Sequence, residues 1–184
     1  MISDTCSAGH FKLDKLRNMR TVLDSDLKLT LVKCYILSKI DYCNVLLNLA
    51  TNKKIKRLQK LVNSSIRFIY NIRKAASITP YAKKAHILPV SYRIQYKSCL
   101  YIFKALHGKA PSYICDLVRR RPSLREGLRS SLDDTVVEPT CRGKTIAEAM
   151  CNTWNKLPVN LRHTNSLDAF KRNLKTHYFC IAYD

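Results

Sequence analysis

Between Asp41 and Asp116 the sequence has neither aspartate nor glutamate: the 74 residues from Tyr42 to Cys115 hold 14 Lys and Arg and not one carboxylate. At the chain's overall acidic content, 13 in 184, about five would fall there. Helical surfaces normally mix both signs, so this absence excludes a face neutralised by its own ion pairs and favours one turned toward a polyanion. Glycine is scarce as well, four in 184 residues, which argues against a turn-rich β architecture; no Gly-rich phosphate loop is found either. No apolar run approaches the ~18 residues of a membrane span, and Met1 to Arg20 lacks the apolar core of a secretory leader. The expectation is an intracellular protein without a membrane partner.

Closely spaced cysteines are missing too. The eight thiols, Cys6, Cys34, Cys43, Cys99, Cys115, Cys141, Cys151 and Cys180, are scattered and form none of the pairs that zinc knuckles require. They read as buried thiols in a reducing compartment. The five histidines have no ligand-spaced Cys or His beside them, so no metal and no cofactor is expected. A nucleophile elbow is likewise absent.

What is present is charge, apolar content and helical periodicity. Net charge +20 would oppose compaction unless something anionic screens it, while 46% hydrophobic content suffices for a proper core. Residues 1–121 hold 24 of the 33 basic but only 6 of the 13 acidic residues. The spacing predicts a mainly α fold: a basic helical domain over 1–121, a linker over 122–143 with a short strand near Thr135 to Glu138, and a smaller helical part over 144–184.

Within that frame Phe11 to Val22 reads as a first helix, and Asp24 and Ser25 cap a long one from Asp26 to Asn48. Its apolar residues fall nearly all round the axis, which marks it as a central core helix. Thr79-Pro80 open a short helix that Pro89 ends; Ser91 caps another from Tyr92 to His107, closed by Gly108. Pro111 starts a short helix to Val118, Lys144 to Trp154 form the next, and Ser166 caps the last, whose shared face is Leu167, Phe170, Leu174, Tyr178 and Ile181.

The clearest amphipathic segment is Asn52 to Tyr70. Ile55, Leu58, Leu61, Val62, Ile66 and Ile69 share one arc, while Lys53, Lys56, Arg57, Lys60 and Arg67 stack on the opposite one. A charge run is usually a solvated face, but like charges at three- and four-residue spacing repel, and no acid relieves them here. Arg93, Lys97 and Lys104 make a second, narrower basic stripe. Among the ten tyrosines, Tyr70, Tyr81, Tyr92 and Tyr96 lie among basic residues where they could stack on bases, although aromatic residues at helical spacing are more often core.

Taken in order, a series of short motifs resembles a known family. Leu31-Val32-Lys33, Asp41-Tyr42-Cys43-Asn44-Val45-Leu46-Leu47, Arg57-Leu58-Gln59, Ile78-Thr79-Pro80, His86-Ile87-Leu88-Pro89-Val90, Arg93-Ile94, Phe103-Lys104-Ala105-Leu106-His107-Gly108 and Ala110-Pro111-Ser112-Tyr113 resemble the region after the palm in reverse transcriptases of non-LTR (LINE, jockey-like) retrotransposons. Leu128-Arg129-Ser130-Ser131, Trp154-Asn155-Lys156-Leu157-Pro158 and Ser166-Leu167-Asp168-Ala169-Phe170-Lys171 extend the resemblance, which spans roughly Cys6 to Phe179. It implies a thumb with its C-terminal extension, the region that holds template and primer. Polymerisation in that family needs palm aspartates that bind two Mg²⁺ ions. The one Asp pair here, Asp133-Asp134, follows Leu132 in a polar segment downstream of the thumb-like motifs, and the palm is not in this chain.

The expected function is therefore a non-catalytic grip on nucleic-acid backbone, RNA, DNA or an RNA–DNA hybrid, by Lys53, Lys56, Arg57, Lys60, Arg67, Arg93 and Lys97. Two other readings remain beside it. One is a protein-interaction remnant whose surface once met the palm; the other is a genomic relic without a selected function.

Overall fold

The structure, a computed structural model, describes residues 2–120, 134–139 and 145–184. The expected linker over 122–143, the Leu128-Arg129-Ser130-Ser131 motif, Asp133 and Cys141 lie wholly or mostly outside those residues. The fold is mainly helical, and among the described residues the expected strand is reduced to a single antiparallel bridge between Arg120 and Val136. The chain divides into two compact units, one of Met1–Arg93 with Ala182–Asp184 and one of Ile94–Ile181.

In the first unit α1 (Ile2–Asn18), α2 (Ser25–Val32), α3 (Ser38–Asp41), α4 (Asn52–Tyr70) and α5 (Thr79–Lys84) surround one apolar core. α1 begins well before the expected Phe11, because Cys6, Gly9, Leu13 and Leu16 already form a buried stripe at helical spacing. Its closest approach is to α4, where a Cβ on Gly9 would stand 2.4 Å from Leu61 Cδ2. A side chain at position 9 fits there only if Leu61 shifts.

The expected single helix over Asp26 to Asn48 is broken. Asp24 does cap α2, accepting a hydrogen bond from Leu27 N at 2.7 Å, but a π turn at Lys33–Leu37 interrupts the α ladder. Cys43 then takes a left-handed conformation (φ 48°) and a 3₁₀ segment follows at Asn44–Leu49. The apolar residues lie all round a regular axis because the chain does not follow one: Val32, Ile36, Leu37, Ile40, Val45 and Leu47 are all buried. Lys28 is buried on the same side, its Nζ 5.8 Å from the centre of the Phe68 ring.

α4 runs from Asn52 to Tyr70 as the amphipathic pattern predicts, and Asn71 (φ 54°) closes it as a left-handed cap. Leu58, Leu61, Val62, Ile66, Phe68 and Ile69 are buried; at about 2 kcal/mol for each side chain taken out of water, this helix anchors the unit. α5 begins with Thr79 and Pro80 in its first turn and ends at Lys84, with Ile78 rather than Thr79 at the cap.

α6 (Val90–Leu106) starts two residues before the expected Tyr92. Gln59 Oε1 accepts from Val90 N at 2.8 Å and so satisfies one orphan amide of the first turn, while Ser91, expected as the cap, lies inside the helix. Its part beyond Arg93 belongs to the second unit, with α7 (Ser112–Cys115), α8 (Ile146–Asn155), α9 (Val159–Arg162) and α10 (Leu167–Tyr183) to Ile181. There Phe103 stacks on Phe170 with ring centres 4.2 Å apart, and Trp154 lies tilted on Phe170 at 5.7 Å. Phe170, Leu174 and Tyr178 are buried as the shared face requires, but Ile181 is exposed.

Two residues of the Trp154-Asn155-Lys156-Leu157-Pro158 motif fix the segment 134–139. Trp154 Nε1 donates to the Asp134 carbonyl at 2.9 Å, and the Asn155 amide pairs with both backbone groups of Val136 at 3.0 Å. α8 is held at its start by a reciprocal capping box between Thr145 and Glu148.

Candidate nucleic-acid interface

Lys53, Lys56, Arg57 and Lys60 are exposed on the arc of α4 opposite its buried face. None of them has a carboxylate partner among the described residues. An α-helix turns about 100° per residue, so Lys56, Lys60, Lys53 and Arg57 fall in that order within roughly a quarter of the circumference. Two clefts flank this ridge. One of about 370 Å³ is lined by Cys6, Ser7 and His10 of α1 with Arg57 and Lys60 of α4. The other, about 410 Å³, has Lys56, Gln59 and Asn63 at its polar side and Ile66, Ile78 and Ile87 among its apolar lining.

The remaining expected contacts are placed differently. Arg67 is half-buried and turned inward along the chain: its Nη1 donates to the Arg73 carbonyl and its Nη2 to that of Ala76 at 3.1 Å, which pins the loop after α4. Arg93 is committed to Asp41, with Nε donating to Oδ1 at 2.9 Å and Nη2 to Oδ2. Lys97 is half-buried and belongs to the second unit. The structure thus brings together Lys53, Lys56, Arg57 and Lys60, and gives the guanidinium groups of Arg67 and Arg93 internal work.

The tyrosines singled out by sequence are not open platforms. Tyr70 and Tyr81 pack on each other at 5.4 Å, and Tyr92 and Tyr96 are half-buried. Burial, partly offset by the Lys171 ammonium, holds the Tyr96 phenol above its usual range. Exposed aromatics occur instead at Phe11, Tyr35 and Tyr42. Sequence reasoning missed Ser7 and His10 as surface neighbours of the ridge because it began α1 only at Phe11; the spacing of Cys6, Gly9, Leu13 and Leu16 carries the signal that locates them.

Cys6, beneath the first cleft, is a poor nucleophile: burial pushes its thiol up, although the nearby Arg57 charge works against the shift. All seven cysteines among the described residues are free thiols. Among the described residues no three His, Cys, Asp or Glu side chains group as metal ligands, and no helix is long and apolar enough to cross a membrane. Neither a family model, nor a curated protein, nor a solved structure matches the chain.

Proposed function

We propose that the first unit binds nucleic-acid backbone through Lys53, Lys56, Arg57 and Lys60, as a non-catalytic grip of the kind the resemblance to a non-LTR reverse transcriptase thumb implies. The observation that carries this reading is the ridge itself: four exposed cations on one arc of α4 with no acid among the described residues to neutralise them. Like charges held that close destabilise a helix unless a polyanion relieves them. The net charge of +20 works in the same direction over longer range.

Contact by ammonium and guanidinium groups to phosphate carries no sequence information, so binding depends on salt far more than on base order. With four phosphate contacts, log affinity against log salt should fall with a slope of about three. Replacing Lys56, Arg57 and Lys60 together by Glu should abolish measurable binding at physiological salt without unfolding the protein. A flat salt dependence, or undiminished binding by that triple variant, removes the reading. With Mg²⁺, nucleotides and a primed template, the chain alone should extend nothing, since its resemblance covers the thumb and not the palm; any extension product refutes the non-catalytic part.

A further inference from the structure

α1 places different chemistry on each side of its exposed arc. Ser7 and His10 face Arg57 and Lys60 across the cleft of about 370 Å³. Phe11 points directly away from the buried stripe of Cys6, Gly9, Leu13 and Leu16 and is 65% exposed. One turn on, the Lys15 ammonium lies 5.4 Å from the centre of that ring. On the far flank Lys12 sits 5.5 Å from the ring of Tyr35, itself 49% exposed.

Single exposed aromatic residues are common and need no explanation. Here, however, two of them are each attended by a lysine, and Phe11 stands one turn after Ser7, which lines a cleft with Arg57, Lys60 and His10 on its other walls. Cations that follow a backbone, with aromatic faces beside them, are the two ingredients of a single-strand binding surface. A duplex offers phosphates to such a surface but keeps the faces of its bases covered. An unpaired nucleotide offers both.

We infer that the α1 surface takes single-stranded nucleic acid, with a phosphate seated between Ser7, His10, Arg57 and Lys60 and the adjoining base stacked on Phe11. This rests on the proposed backbone contact and adds to it a preference for unpaired nucleotides. Lys15 interacts only weakly with the ring at so open a site and can turn to the next phosphate when a base arrives. Tyr35 with Lys12 repeats the arrangement for a second nucleotide.

The test compares three labelled probes of equal length by fluorescence anisotropy at fixed salt: oligothymidylate, an abasic oligomer with the same phosphates, and a duplex. Oligothymidylate should bind about tenfold tighter than the abasic strand. Phe11→Ala and Phe11→Leu should each shrink that difference to about twofold while leaving abasic binding unchanged, as expected for the loss of one stacking face. Equal binding of the two single strands by the native protein, or an undiminished difference in both Phe11 variants, overturns the inference while leaving the backbone contact standing. Failure of all three probes to bind overturns both.

Discussion

Arg93 grips the carboxylate of Asp41 through two parallel hydrogen bonds, across 52 residues of sequence. Asp41 is the last acid before the acid-free stretch, so the one guanidinium in that stretch with a carboxylate partner among the described residues takes it from just outside. With side chains 18% and 26% exposed, neither partner is fully hydrated. Arg93→Ala should cost about 2 kcal/mol by leaving a half-buried carboxylate unpaired. Asp41→Asn combined with Arg93→Ala should be less damaging than the sum of the two. Urea denaturation measures both; a loss below about 0.5 kcal/mol for Arg93→Ala would show an ordinary surface pair.

Arg67 should behave as a fastening and not as a phosphate contact. Its two bonds to the Arg73 and Ala76 carbonyls hold the loop between α4 and α5. In Arg67→Ala, amide hydrogen exchange over 72–77 should rise while nucleic-acid affinity changes by less than about twofold, since no phosphate contact is lost. Lys60→Ala should do the reverse, and matching binding losses in the two variants would contradict this division.

In the second unit Cys99 Sγ and Tyr178 OH meet at 3.4 Å in the core. Burial pushes the Cys99 thiol up to about 12, and burial with the neighbouring Cys99 raises the Tyr178 phenol as well. Above pH 9 the unfolded chain releases a thiol proton that the folded chain retains, so this contribution is complete below pH 9 and is lost as pH rises toward 12. Cys151, raised to about 11, adds to the same alkaline decline. Cys99→Ala should therefore lose less stability between pH 8 and pH 10 than the native chain. Parallel urea titrations at those two values decide it, and equal losses would sink the idea.

Gly9 should resist even the smallest side chain. Alanine gains about 1 kcal/mol of helix propensity over glycine, yet its Cβ would press on the fully buried Leu61 at 2.4 Å. Overpacking of that kind costs about 1–3 kcal/mol, so Gly9→Ala should destabilise by roughly 1 kcal/mol net. Leu61→Val introduced alongside it should recover part of the loss in thermal unfolding. A raised melting temperature for Gly9→Ala alone would mean that Leu61 moves aside freely.

Much of this was legible in the sequence where one helix obeys one periodicity. α4 was, at both ends, because a single-signed arc opposes a continuous apolar one over five turns; the four ridge cations follow directly from it. α1 was half legible, since Gly9 reads locally as a breaker and only its packing on Leu61 explains it. The roles of Arg67 and Arg93 were not, because their partners are backbone carbonyls made available by a loop and a carboxylate 52 residues away. The break at 33–37 was hidden because no glycine or proline there marks an interruption of the α ladder.

That π turn works as a phase adjuster. It holds one residue more than a regular turn, and a residue is about 100° of rotation, so it decides the azimuth at which α3 leaves the core. Asp41 lies at the end of α3, four residues past the turn's last residue, Leu37. Deleting Tyr35 would regularise the ladder, swing Asp41 out of line with Arg93, and reproduce the instability of Arg93→Ala without touching either charge.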